Sequence, residues 1–284
     1  MDAILSAVEQ TLDREKFEII IVKNFEDSKI DDYVRNRNIQ SILTDKQSLS
    51  GKILEGIKSS TGEIISFLDD DDKFYPRKLE IVNNAFKDED IVYLHNNFQA
   101  IDENNKYLNY RENRIDFNMS SISIKKEIIK RNILAQAKYN IDTFMYLFAL
   151  DSGKKILEID EILTEYRLHN SITHNYSSLN EFTDFYVRSL NRSLEAYKTV
   201  FDQFSSKKIR DLILHETIFL KIRLKIFSKG SVTLKEYFQF IFKQHISGST
   251  LFEYKMLFGS IFLKKFIVYT LFKNELRKIN DYKK

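Results

Sequence analysis

The sequence predicts an α/β fold followed by a basic, all-helical region, and three observations carry that reading. Short apolar runs alternate with helix-periodic segments as far as Leu168. From about Leu179 onward the pattern is helical throughout and rich in Phe, Tyr, Ile and Lys. One proline and seven glycines in 284 residues leave long stretches without a breaker. The boundary is expected near Tyr176, which gives a domain of residues 1–176 and a region of residues 177–284. Such alternation favours a mostly parallel sheet flanked by helices, with ligands at the carboxyl ends of its strands.

Each element follows from local pattern. Ile4, Leu5, Val8 and Leu12 repeat at helical spacing behind Asp2, and the apolar run Phe17–Val22 predicts a buried strand. A helix over Lys29–Arg37, a strand over Ile39–Leu43, a helix over Leu49–Ser59 and a strand over Glu63–Leu68 continue the alternation. Thr61-Gly62 stops the helix ahead of that strand, and Pro76 sits in the first turn of a helix expected over Tyr75–Phe86. Ile91–Leu94 predicts the next strand, whereas Asn96–Asp116 is polar and reads as hairpins or a loop. Ser121–Ile124 then reads as strand, Lys125–Gln136 and Asp142–Leu150 as helices, and Lys155–Ile159 and Ile162–Leu168 as extended.

Composition excludes several chemistries. The absence of cysteine removes disulfides, thiolate nucleophiles and Cys-ligated metals. The net charge of +3 hides an asymmetry: Ser205–Lys284 holds 17 Lys and Arg against 6 Asp and Glu, an excess of +11, so the preceding residues carry −8. Met1-Asp2 opens directly into a helical pattern with no signal-peptide sequence, so a cytoplasmic location is expected. The apolar stretch Met256–Phe272 is interrupted by Lys264 and Lys265, which argues against a membrane-spanning helix. Leu234, Tyr237, Phe238, Ile241 and Phe242 instead form one helical stripe, and a second apolar-basic pattern spans Leu251–Lys278. These are either a helical packing layer or helices lying on an anionic membrane, on the inner face of the cell membrane. No RNA- or DNA-binding motif accompanies the charge, so no nucleic-acid partner is expected.

The most informative stretch is Ile64-Ile65-Ser66-Phe67-Leu68-Asp69-Asp70-Asp71-Asp72, an apolar strand ending in four carboxylates. Like charges at the end of a buried strand are best tolerated around a divalent cation, and hard oxygen ligands select Mg²⁺ or Mn²⁺. The other reading is a solvated acidic turn. An EF-hand is excluded because no register from Asp69 or Asp70 puts a glycine at the sixth position.

At these residues the chain resembles the family 2 glycosyltransferases of the GT-A fold, over about Asp2–His174. Phe17–Val22 is similar to the second strand of that fold and Ser48-Leu49-Ser50-Gly51-Lys52 to its sugar-nucleotide loop. Phe67–Asp72 followed by Pro76-Arg77-Lys78-Leu79-Glu80 resembles its Asp-x-Asp segment. Asn140-Ile141-Asp142 resembles the segment carrying the catalytic base, and Leu163–Ser171 resembles the Tyr-Arg-x-His strand end. Two departures stand out. The family's first strand is lacking, and Lys23-Asn24 replaces the acidic residue that usually follows the second strand.

The resemblance implies a metal-dependent, inverting glycosyltransferase that moves a sugar from a nucleotide-sugar donor, a UDP-sugar, to a hydroxyl of a glycan or lipid-linked acceptor. It implies Asp71 as metal ligand, Asp69 as a contact to ribose or metal, and His169 as a further ligand, His169 alternatively being a hydrogen-bonded strand-end histidine. Asn24, Lys52, Asp69, Asp70 and Arg167 are the implied donor contacts, with Lys52 and Arg167 placed either on phosphate oxygens or against the acidic loop. Asp142 is the implied base, and it is equally suited to capping the helix behind it. The rival expectation is a non-catalytic glycosyltransferase-like binding or assembly module at a membrane surface.

Overall fold

A computed structural model describes residues 1–37, 39–108, 118–168, 178–227, 229–247 and 251–282. The chain divides into two compact units, Met1–His169 and Asn170–Lys284.

The first unit is α/β. Helix α1 (Asp2–Val8) leads to β1 (Ile20–Lys23), α2 (Ser28–Arg35), β2 (Gln40–Leu43), α3 (Leu49–Ser59), β3 (Ile64–Ser66), β4 (Lys73–Phe74), α4 (Lys78–Ala85) and β5 (Ile91–Ile101). Then follow β6 (Ile122–Lys125), α5 (Arg131–Gln136), α6 (Ile141–Ser152) and β7 (Lys155–Arg167). Starts are set by side-chain caps. Asp27 accepts from the Ile30 N–H ahead of α2, and Ser48 accepts from the Gly51 N–H ahead of α3.

Strands β1 and β2 pair in parallel, from Ile20↔Gln40 to Lys23↔Leu43. The other five form a sheet of order β3-β6-β5-β7-β4. Its long ladder is parallel, β5 on β7 from Ile91↔Lys155 to Ile101↔Arg167, while β3–β6, β5–β6 and β4–β7 are short antiparallel pairs. Parallel ladders therefore hold most of the paired residues. Among the described residues no strand bridges β1 to β3. The two starts are tied instead by Glu18, whose Oε1 accepts from the Thr61 N–H at 2.6 Å and the Gly62 N–H at 2.8 Å. Burial would raise the Glu18 carboxyl, but those hydrogen bonds outweigh it and hold the group below its usual value.

Both faces of the large sheet are covered, as a sheet with a parallel centre requires. Leu94 packs with Val82 and Phe86 of α4, and its neighbour Tyr93, pointing the other way, meets Tyr146 of α6 edge-on at 5.7 Å. Val92, Tyr93, Leu94, Ile122, Ile124, Phe144 and Met145 are all fully buried.

The second unit is helical: α7 (Leu179–Val200), α8 (Lys207–Ile226), α9 (Leu234–Ser247), α10 (Leu251–Phe262) and α11 (Lys264–Tyr282). Its core joins Ile218, Phe219, Ile222 and Ile226 of α8 to Phe240, Met256 and Leu257. Yet Leu234, Phe242, Leu251, Phe258, Phe262 and Phe266 are each more than 60% exposed. No helix among the described residues is long and apolar enough to cross a membrane.

The structure departs from the expected limits of three elements. β5 runs on to Ile101, through the polar residues that read as a loop, because Asn96 is fully buried and hydrogen-bonded inside the unit. The two extended stretches after Lys155 are one strand, since both pair with β5 on either side of a bulge at Asp160-Glu161. The helix expected over Lys125–Gln136 is broken into a short 3₁₀ turn at Lys126–Ile128 and α5, with Ile129 buried in extended backbone between them.

Candidate functional site

The acidic run leaves β3 and folds over the ends of β6 and β7. The Asp69 N–H donates to Ser120 Oγ at 2.9 Å, and Asp72 Oδ1 accepts the Arg167 N–H at 2.8 Å. Asp72 is 1% exposed, and its Oδ2 has no hydrogen-bond partner. Burial raises the Asp72 carboxyl to about 6, although the bonds from Ser120 and Arg167 oppose the rise. Asp70 is exposed and Asp69 and Asp71 are half-buried, while Asp72 anchors the turn.

Asp69 is the most perturbed of them. Burial comes first, then the charges of Asp72, Asp71, Asp70 and Asp142, and together they push its carboxyl up to about 7. That places Asp142 within the same electrostatic field. Asp142 stands in the first turn of α6, where the helix dipole favours a carboxylate, and its Oδ1 accepts the Thr143 N–H at 2.6 Å. The cap position itself belongs to Asn140, whose φ of 56° turns the chain sharply into α6.

Arg167 is occupied by the loop. Its Nε donates to the Asp71 carbonyl at 2.9 Å, one terminal nitrogen to the Asp102 carbonyl at 2.8 Å and the other to Asn105 Oδ1 at 2.7 Å. It therefore braces the acidic segment against the turn after β5. Lys52 and Asn24 come together at the end of β1: Lys52 Nζ donates to Asn24 Oδ1 at 2.9 Å, and Asn24 Nδ2 to Gln47 Oε1 at 3.0 Å. Gly51 is needed there, since a Cβ would stand 2.9 Å from Ser48 Oγ, inside contact distance. Lys23, in the place of the family's acidic residue, is buried and paired with Asp31 at 2.6 Å. His169 lies outside the described residues.

Beneath the acidic loop is a polar network that sequence reasoning missed. Lys78 is fully buried, with Nζ donating to Asn96 Oδ1 at 2.7 Å, the Ser120 carbonyl at 2.5 Å and Thr164 Oγ1 at 3.3 Å. Asn96 Nδ2 and Thr164 close the circuit through bonds of 3.0 Å to Thr164 Oγ1 and the Ser120 carbonyl. Burial drives the Lys78 ammonium well below its usual value, against the pull of Asp72. Ser120 thus joins this inner network to the backbone of Asp69. The signal was available in principle, because Lys78 occupies a core-facing position of an otherwise apolar stripe in α4.

Half-buried Asp69 and Asp71 beside exposed Asp70 offer the hard oxygen donors that a divalent cation takes, so the residues present fit such an ion. Asp69 and Asp71 are the groups that would hold it.

Comparison with known proteins agrees with this architecture. An uncharacterised glycosyltransferase of Rickettsia bellii (strain RML369-C) is 30% identical over 112 residues, covering 38% of this chain and 16% of the relative. A second, from Nostoc sp. (strain PCC 7120 / SAG 25.82 / UTEX 2576), is 34% identical over 68 residues, 24% of this chain and 21% of the relative. The chain thus matches about a fifth or less of these relatives' length. Among solved structures, S. aureus TarS 1-349 superposes with a TM-score of 0.56 at 15% identity, over 86% of this chain and 74% of that one. The same protein in complex with UDP gives 0.55 at 12% identity, over 99% and 84%. These likenesses show a shared fold. The sequence profile described as glycosyl transferase family 2 matches residues 2–149, more than half of the chain, and the chain belongs to that family.

Proposed function

We propose that the chain is a metal-dependent, inverting glycosyltransferase acting on a nucleotide-sugar donor. The observation that supports this reading is the run of four carboxylates, Asp69–Asp72, directly behind β3, inside the part of the chain that the family profile matches. A divalent cation held by Asp69 and Asp71, Mn²⁺ or Mg²⁺, would stabilise the charge that develops on a departing diphosphate. Asp70, with Lys52 and Asn24 at the end of β1, is proposed to contact the donor, and Arg167 to keep the acidic segment in shape. Asp142 takes the proton of the attacking hydroxyl, and attack opposite the leaving group inverts the anomeric carbon. Residues 1–176 form the donor-binding and catalytic domain in this reading, and residues 177–284 a basic helical region.

TarS has been solved with UDP and with UDP-GlcNAc, which supports a UDP-sugar as the first donor to test. The acceptor is proposed to be a hydroxyl of a glycan or lipid-linked molecule. Exposed Phe258, Phe262 and Phe266, set among the basic residues of the second unit, support attachment to the anionic inner face of the cell membrane.

The test is a thermal-shift and turnover screen of UDP-sugars with Mn²⁺. UDP with Mn²⁺ should raise the melting temperature more than either alone, and Asp71→Asn should abolish the gain. UDP binding without transfer to any glycan or lipid acceptor would support the binding-module reading. No effect of UDP or Mn²⁺ refutes both donor and metal assignments.

A further inference from the structure

The helical unit contains a second set of ligating side chains, remote in sequence from the acidic loop. His215 and Glu216 of α8 and Glu253 of α10 place one ligand atom each within 4.8 Å of one another. The His215 side chain is only 2% exposed, and neither ring nitrogen has a hydrogen-bond partner. Its ring stacks on Phe240 at 4.5 Å, which fixes the plane and leaves Nε2 directed at Glu253, 3.8 Å from Oε2. A buried imidazole nitrogen left without a partner is costly, and a ligand bond from Nε2 would remove that cost.

We propose that His215, Glu216 and Glu253 bind a first-row divalent cation that clips α8 to α10. The donor set is one imidazole nitrogen and two carboxylate oxygens, which suits Zn²⁺ and leaves a further position for water. Ligand atoms around Zn²⁺ at about 2.1 Å sit roughly 3.4 Å apart, so modest turns of the two glutamates complete the set. Glu253 is 14% exposed and Glu216 half-buried, which gives the ion a way in past the carboxylates. Such a clip would make the packing of α10, whose outer face is largely exposed, depend on the ion.

The full-length chain, stripped with EDTA and carrying Asp71→Asn to silence the acidic loop, is titrated with Zn²⁺ against a chromophoric chelator. One Zn²⁺ per chain is expected, with a rise in melting temperature. Glu253→Gln, isosteric and at a partly exposed site, should weaken binding at least tenfold, and His215→Phe, which keeps the stack on Phe240, should abolish it. If His215→Phe fails to fold, Glu253→Gln decides. Binding unchanged in Glu253→Gln, or no binding in the Asp71→Asn parent, overturns the proposal. Neither result bears on donor binding at the acidic loop.

Discussion

Asp69→Asn isolates the electrostatic cost of the acidic loop. The amide keeps the shape of the side chain and carries no charge at any pH. In the folded chain burial, followed by Asp72, Asp71, Asp70 and Asp142, raises the Asp69 carboxyl from 3.8 to about 7. A carboxyl held above its unfolded value binds its proton more tightly in the folded state. Its contribution is therefore fully present below about pH 4 and is lost as the pH rises to about 7. Three pKa units at 1.36 kcal/mol each correspond to about 4 kcal/mol. Urea denaturation in EDTA should thus find the variant more stable than wild type by about 2–4 kcal/mol at about pH 8, and indistinguishable from it at about pH 4. Adding Mn²⁺ should stabilise wild type and leave the variant unmoved. A variant no more stable than wild type at the higher pH would show that the loop solvates its own charge and has no need of a cation.

Asp142→Asn should lower transfer by about 10²–10⁴-fold with donor affinity near wild type, measured as kcat against KM, and retention of most turnover would reduce Asp142 to a helix-end carboxylate. Lys78→Met should flatten the pH dependence of stability on the alkaline side: a lysine depressed below 10.5 makes wild type gain stability as pH rises toward that value, and an equal gain in the variant would place the effect elsewhere. Arg167→Ala releases the Asp71 carbonyl and the 102–105 turn, so it should weaken Mn²⁺-dependent UDP binding with little change in unfolding at low pH. Cosedimentation with anionic vesicles should weaken with salt without vanishing, and full-length protein that ignores such vesicles at low salt would make α9–α11 a packing layer.

Much of this architecture was legible in the residues. Helix α3 falls on the expected Leu49–Ser59, because Ser48 caps one end and Ser60-Thr61-Gly62 closes the other. Strand β3 and the acidic run behind it follow from an apolar stretch meeting four carboxylates. What stayed hidden depends on partners far along the chain. Asn96 looks like a loop residue until Lys78 and Thr164 are seen to meet it, and the place of Lys78 on the apolar stripe of α4 does not say which distant groups pair with it. For Arg167 the sequence offers a phosphate contact or the acidic loop, and the structure sets its guanidinium against the carbonyls of Asp71 in that loop and of Asp102, 96 and 65 residues away. His215 escaped notice because its neighbours in sequence are ordinary helix residues and its carboxylate partner sits on another helix.

The fastening of the acidic loop also sets when it can form. Arg167 grips the Asp71 carbonyl across 96 residues, and Thr164 meets Lys78 across 86. Contacts of such sequence separation are slow to close, and a parallel ladder such as β5 on β7 cannot zip from a tight turn. During vectorial synthesis the four carboxylates therefore emerge long before the strand that holds them, and Lys78 waits exposed beside them for Thr164 and Ser120. The face that carries the acidic loop is the last part of the first unit to acquire shape, so a nascent chain halted before residue 167 carries every proposed cation ligand of that loop without the bracing that holds them in place.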